Sequence, residues 1–291
     1  MKSSVILTST TEHFARNLKK KLKDVEIVSL DKNREGARFF PDGETYVRLS
    51  KVGNLKNRRV IVLHSGAPRP NEGLIELELI LQILKDRRIK QEVFFTYFPY
   101  GLQDKVFLKG ETNAAESLIK KLTNYYKVKK IYVIDPHFGG IGWLKKYPFL
   151  SISAVSLLVE KMKKDFRGNV LFMSTDKGGE RRTGISGLNK KRKDSFTVDF
   201  CSKKVPLGGK TIAVIDDILE TGGTLSKFHD YAAACGAKNT VALITHGPLE
   251  TGARKIENKF SRLYLTNTIN AKKANVDVTD LIAKTINGLA K

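Results

Sequence analysis

The sequence predicts an α/β protein of two domains with mainly parallel sheets, and three observations carry that expectation. Short apolar runs alternate with longer amphipathic stretches from end to end. The 291 residues suffice for two domains that each bury a core. One strand-loop-helix pattern also occurs twice. In order, strand runs fall at 5–7, 60–64, 93–97, 130–134, 170–174, 212–215, 241–245 and 263–265, rich in Val, Ile, Leu and Phe as strands covered on both faces should be. Helical periodicity falls at 11–22, 73–84, 113–125, 154–163, 225–235 and 278–289. Segment 36–49 mixes aromatic and β-branched residues around Pro41-Asp42-Gly43, which predicts a hairpin with a functional turn. The doubled pattern pairs Val60-Ile61-Val62-Leu63-His64-Ser65 and its following loop and helix with residues 212–235. In the first copy His64-Ser65 stands where the second has two acids, and Pro68-Arg69-Pro70-Asn71 stands where the second has a Gly-Gly loop. One half is thus expected to keep a ligand site while the other becomes scaffold or takes a different ligand. The boundary is placed near residue 150, after Trp143 and Lys145-Lys146-Tyr147-Pro148, giving domains 1–150 and 151–291 with no low-complexity linker between them.

Composition narrows the function classes. Lys and Arg number 52 against 30 Asp and Glu, a net charge of +22, so a nucleic-acid binder has to be weighed. The excess lies in short runs on expected helix faces, such as Lys19-Lys20-Lys21 and Lys120-Lys121. Aromatics do not interleave with these runs as a base-stacking surface requires, so nucleic acid is not the expected partner. The two cysteines, Cys201 and Cys235, lack metal-ligand spacing and fit a reducing compartment, the cytoplasm. No apolar stretch approaches the ~18 residues of a membrane span, and the first residues lack the pattern of a signal peptide.

Residues 211–225, Thr-Ile-Ala-Val-Ile-Asp-Asp-Ile-Leu-Glu-Thr-Gly-Gly-Thr-Leu, carry the chemistry. An apolar strand ends in Asp216 and Asp217, and a loop of small residues then opens a helix. Amides of such a turn, with the dipole of the following helix, form an anion site. Two carboxylates cannot favour that anion directly, so their expected work is to accept hydrogen bonds from sugar hydroxyls beside it.

This run resembles the phosphoribosyl diphosphate (PRPP) motif of type I phosphoribosyltransferases and of PRPP synthetases, the ribose-phosphate diphosphokinases. Five further segments, in order, resemble the synthetases in particular and spread the likeness over nearly the whole chain. Phe40-Pro41-Asp42-Gly43-Glu44 is similar to their ATP loop, and Tyr100-Gly101-Leu102-Gln103-Asp104 to their second ATP segment. Asp135-Pro136-His137 resembles their Asp-Leu-His element, and Ser174-Thr175-Asp176-Lys177-Gly178-Gly179 with Arg182 resembles Ser-Pro-Asp-x-Gly-Gly-x-x-Arg. Asn189-Lys190-Lys191-Arg192 aligns with the Lys-x-Arg of a flexible catalytic loop. Thr245-His246-Gly247 and Leu265-Thr266-Asn267-Thr268-Ile269 resemble segments near the family's C-terminus.

The resemblance implies two tandem phosphoribosyltransferase-like, Rossmann-like domains, the first with the ATP loop and the second with the ribose-phosphate motif. It implies transfer of the β,γ-diphosphoryl group of ATP to the C1 hydroxyl of ribose 5-phosphate, chemistry in which positioning and charge stabilisation dominate. Lys190 and Arg192 are the implied catalytic cations. Phe40, Asp42, Gly43, Glu44, Gln103 and Asp104 are implied for ATP, and Asp216, Asp217, Glu220, Thr221, Gly222, Gly223 and Thr224 for the sugar phosphate. Mg²⁺ is implied mainly on phosphate oxygens and water, with His137 and Asp176 as its few protein contacts. A neighbouring subunit's hairpin completes the family's ATP site, so a homo-oligomer, dimer or hexamer, is implied.

Some residues depart from the family pattern. Leu102 stands where the family usually has arginine and offers neither charge nor donor. Pro136 replaces leucine, Glu220 a commoner aspartate, and Phe138-Gly139-Gly140-Ile141-Gly142-Trp143 replaces Ala-x-Gln-Ile-Gln-Gly-Phe. These changes motivate two alternatives: the same transfer onto a larger acceptor such as ADP-ribose, or a weakly active regulatory partner of a synthetase.

Overall fold

The computed structural model describes residues 2–166, 168–175, 190–192, 198–200 and 207–288. It divides into two compact units, Met1–Ile152 with Thr279–Lys291, and Ser153–Val278. The chain therefore leaves the first unit near the expected boundary and returns to it for the last helix, a return for which the sequence carried no signal.

In the first unit the strands are β1 (Ser3–Leu7), β2 (Val25–Ser29), β3 (Arg59–Ser65), β4 (Gln91–Tyr97), β5 (Ile131–Ile134) and β6 (Phe149–Ile152). They form one sheet in the order β2-β1-β3-β4-β5-β6, every pairing parallel. The helices are α1 (Ala15–Lys21), α2 (Pro70–Asp86) and α3 (Ala114–Lys120), with the returning C-terminal helix described below. Helix α2 starts on Pro70, whose fixed φ suits a first turn, and buries Leu77, Ile80, Leu81 and Leu84 at helical spacing against the sheet. Strands β2 and β6 were not expected. The first carries Glu26 and the second the exposed Leu150, so neither reads as a run buried on both faces.

The second unit holds α4 (Val155–Asp165), β7 (Val170–Ser174), β8 (Lys190–Arg192), β9 (Val198–Phe200), β10 (Thr211–Ile218), α5 (Gly223–Ala234), β11 (Asn239–His246), α6 (Glu250–Glu257) and β12 (Arg262–Leu265). Helix α7 (Thr279–Ile286) is the one that returns to the first unit, where Lys21 pairs with Asp280 and Arg59 donates to the Ile286 carbonyl. The main sheet runs β12-β11-β10-β7, all parallel, and β8-β9 is a separate antiparallel pair. Alternation along β10 and β11 splits the core. Ile212, Val214, Ala242 and Ile244 pack with Leu225, Phe228 and Ile256 on one face, while Ala213, Ile215, Val241 and Leu243 pack with Leu158 and Met162 on the other.

Open parallel sheets place their ligands outside the carboxyl ends of the strands. A basic cavity of about 660 Å³, lined by Lys56, Arg87, Arg88, Lys90 and Lys129 among others, lies instead where β3 and β4 begin, so it is set apart from the expected chemistry. Among the described residues no helix is long and apolar enough to cross a membrane.

Candidate active site

Strand β10 runs through both acids and does not stop before them, so Asp216 and Asp217 project from regular backbone with only 9 % and 4 % of their surface exposed. The Asp217 N–H donates to Asp216 Oδ1 at 3.0 Å, and the Thr175 hydroxyl donates to Asp216 Oδ2 at 3.0 Å. Beyond the strand, the Leu219 N–H donates to the His246 carbonyl at 2.8 Å, which ties the start of the loop to the end of β11. Glu220 and Thr221 are exposed, and Gly222 caps α5 with φ +74°, a left-handed conformation that glycine adopts freely. Gly223 and Thr224 form the first turn. Amides facing outward at a helix start, next to a bent small-residue loop, can hold a phosphate.

Helix α6, which the sequence did not predict, backs this loop from the protein side. A Cβ at Gly252 would lie 1.7 Å from the Glu220 carbonyl oxygen, and one at Gly222 would lie 3.4 Å from the Gly252 oxygen. Glycine at 252 is therefore the condition for the loop's present path. Its lone position in a short, polar stretch gave no periodic signal. At the ends of β11 and β12 the His246 ring Nδ1 lies 2.9 Å from Thr268 Oγ1, and the Thr266 and Thr268 hydroxyls donate to the Thr245 carbonyl at 2.6 and 2.9 Å. The two C-terminal segments singled out in the sequence thus brace each other beside the loop.

In the first unit the expected hairpin is present. Phe39 and Thr45 form an antiparallel bridge, the Phe40 N–H donates to the Glu44 carbonyl at 2.8 Å, and the Gly43 N–H donates back to Phe40 at 2.9 Å. Asp42 Oδ1 accepts from the Glu44 N–H at 3.1 Å, fixing the turn from within. Phe40 is 45 % exposed, its ring held out on the closed turn. In the second expected ATP segment Tyr100 has φ +57° and its hydroxyl donates to Asn71, while the Gln103 carbonyl accepts from the Ala115 N–H at 3.2 Å. Asp104 follows, half-buried. Asp135, two residues before the half-buried His137, has φ +34°, a strained value for a residue with a side chain.

The unusual segment 138–143 has a packing reason. Phe138 is fully buried and its ring meets Phe98 at 5.0 Å and Trp143 at 5.5 Å, so the segment fills an aromatic core. Gly101 lies under it, where a Cβ would come within 3.3 Å of the Phe138 ring. Leu102 is 40 % exposed. Asp176 lies outside the described residues. Lys190 and Arg192 are two positions apart on β8, opposite Phe200 and Val198 in register. No group of three or more His, Cys, Asp or Glu that could hold a metal ion occurs among the described residues.

A family model described as the N-terminal domain of ribose phosphate pyrophosphokinase matches residues 4–125. The ribose-phosphate pyrophosphokinase of Pyrococcus furiosus is 27 % identical over 291 residues, covering 94 % of this chain and 97 % of the relative. The crystal structure of phosphoribosylpyrophosphate synthetase from Mycobacterium smegmatis superimposes with a TM-score of 0.81 over 99 % of both chains, at 22 % identity, which speaks for the two-domain α/β fold. The ribose-phosphate pyrophosphokinase of Pyrococcus abyssi is 30 % identical over 263 residues, covering 84 % of this chain and 87 % of the relative. With likeness of that extent added to an acid pair and glycine loop on a parallel sheet, the chain belongs to the ribose-phosphate pyrophosphokinase family.

Proposed function

We propose that the protein transfers the β,γ-diphosphoryl group of ATP to ribose 5-phosphate, giving PRPP and AMP. The observation that carries this reading is the buried Asp216-Asp217 pair near the carboxyl end of β10, followed across a short loop by a glycine-capped helix start. A carboxylate accepts hydrogen bonds and donates none, so the pair suits the 2- and 3-hydroxyls of a ribose whose 5-phosphate sits on the 220–224 loop. The C1 oxygen then forms a bond to the β-phosphorus as its hydroxyl proton passes to solvent, the bond from that phosphorus to the α,β-bridging oxygen breaks, and AMP leaves with the bridging oxygen. Lys190 and Arg192 supply positive charge to the transferring group.

Phe40 stacks on adenine in this reading, with Asp42, Gly43, Glu44, Gln103 and Asp104 around the nucleotide. Its exposure supports that role, because a ring held out on a closed turn has apolar surface left for a base. The resemblance implies that a second copy of the chain completes the ATP site, so the working form is a homo-oligomer of at least two, in the cytoplasm. The hard oxygen donors of the acids and the single imidazole of His137 fit Mg²⁺ held mainly by phosphates and water, with His137 and Asp176 contributing. Mg²⁺ supplies charge neutralisation of the phosphates when bound.

The ADP-ribose alternative leaned on segment 138–143 and on Leu102; the burial of Phe138 in the aromatic core gives the first a packing reason, while Leu102 is exposed. Purified protein incubated with ATP and Mg²⁺, and with ribose 5-phosphate or ADP-ribose in parallel, is followed by phosphorus NMR. PRPP and AMP from the first acceptor are the expected products. Product from ADP-ribose alone overturns the acceptor, and no product from either favours a regulatory partner, for which Leu102 is the one residue that speaks.

A further inference from the structure

We propose that Thr175 is a positioning residue for the acceptor sugar, acting through Asp216; the inference rests on the ribose 5-phosphate reading above. Strand β7 pairs with β10 in parallel, with Ser174 opposite Ile215, so the next position on each strand is Thr175 and Asp216. Their side chains meet: the Thr175 hydroxyl donates to Asp216 Oδ2 at 3.0 Å, with Thr175 only 2 % exposed. The direction is fixed, because the carboxylate accepts and the hydroxyl is the donor.

The other oxygen of Asp216 is held from its own strand by the Asp217 N–H at 3.0 Å. One carboxylate is thus gripped from two neighbouring strands, which fixes the rotation of its plane. That rotation decides where the acceptor lone pairs point, and so where a ribose diol can sit and where C1 lies for attack. The element that this segment resembles has proline here, which has no hydroxyl, so the grip is a feature of this chain's own sequence.

The hydrogen bond is charge-assisted and buried, the kind whose loss is felt most. Thr175→Val keeps the shape and removes the hydroxyl, and Thr175→Ser keeps the hydroxyl and removes the methyl. In steady-state assays with both substrates varied, Thr175→Val is expected to raise KM for ribose 5-phosphate about tenfold, equivalent to ~1.4 kcal/mol. KM for ATP stays within about twofold of the wild-type value. Thr175→Ser is expected to bring the acceptor KM back to within about twofold of wild type, which a purely packing role for the methyl does not allow.

Circular dichroism melts check folding, and Thr175→Ala carries the same test should the valine variant not fold. An active wild type whose Thr175→Val variant keeps its acceptor KM overturns the inference alone. So does a serine variant as impaired as the valine one, or an equal rise in both KM values. A wild type that turns over no ribose 5-phosphate overturns the acceptor reading, and the inference falls with it.

Discussion

Gly252→Ala tests whether the sugar-phosphate loop depends on the helix behind it. The added methyl would start 1.7 Å from the Glu220 carbonyl oxygen and 2.8 Å from its carbon, whereas real Cβ contacts essentially never fall below 3.0 Å. The gap must therefore open by at least roughly 1.3 Å, and because the opposing atoms are backbone, no rotamer change can absorb it. Either α6 or the loop has to move. Ala253 and Ile256 anchor α6 in the core, at 2 % and 0 % exposure, while Glu220 and Thr221 are exposed, so the loop yields first. Overpacking of this kind costs about 1–3 kcal/mol, a modest drop in melting temperature. A phosphate cradle misplaced by about 1 Å costs on the order of 100-fold in rate. The expected outcome is a folded protein whose kcat/KM for ribose 5-phosphate falls about 100-fold with KM for ATP little changed. Wild-type acceptor kinetics in a folded Gly252→Ala variant would refute the reasoning.

Further expectations concern separate parts of the molecule. Burial holds the His64 imidazole neutral, its pKa lowered to about 3, so the stability it contributes is present above its unfolded pKa of ~6.5 and lost as pH falls through the folded value. Between pH 7 and 5 the wild type should lose about 2 kcal/mol more than His64→Gln in urea unfolding, and equal losses would contradict this. Phe40→Ala should raise KM for ATP about tenfold through lost base stacking, leaving the melting temperature unchanged because the ring is 45 % exposed. Lys190→Ala should lower kcat at least ~100-fold with KM for ribose 5-phosphate nearly kept, and Asp216→Ala should chiefly raise that KM. Normal kinetics in both variants would remove the site assignment.

The parallel sheets were legible because their strands are apolar on both faces, as Val60 to Leu63 and Ile212 to Ile215 are, and such runs stand out from one sequence. Strands β2 and β6 were not, because polar or exposed residues interrupt them. The expected helix at 11–22 begins as a 3₁₀ turn, Ser9–Phe14, before α1, and the one at 113–125 ends in a π-turn, Lys121–Tyr125. Periodicity reports the apolar face of a segment and not which carbonyl each N–H selects. At the site, the acids and glycines of 216–224 were legible because the residue types themselves are informative. Thr175 and Gly252 were not, because each matters only through an atom brought to it by folding: the Asp216 carboxylate in one case, the Glu220 carbonyl in the other.

The doubled pattern leaves one question, why the first half does not repeat the proposed sugar site, and the hydrogen bonds around His64 supply a physical answer. Sheets with the first unit's strand order bind ligands in the crevice between β1 and β3, where the order reverses. Here that crevice is closed by the chain itself. His64 Nδ1 lies 3.2 Å from the Thr8 hydroxyl, the Ser65 N–H donates to Thr10 Oγ1 at 3.1 Å, and the Ser9 N–H donates to Glu76 at 2.8 Å across the start of α2. Burial raises the pKa of the Glu76 carboxyl against the lowering effect of its bonds to Ser9, as expected of an acid taken out of water. His64, neutral and fully enclosed, presents no anionic acceptor where the second half presents two. The first half thus carries a neutral, internally bonded strand end where the second carries two acids. The first unit's exposed side chains include Phe40 on the hairpin and Tyr100 and Leu102 on the second segment. On the proposed reading, the two halves divide the labour that two substrates demand: the first, its strand ends bonded to one another, presents loops to a nucleotide, while the second keeps the pair of strand-end acids that suits a sugar diol.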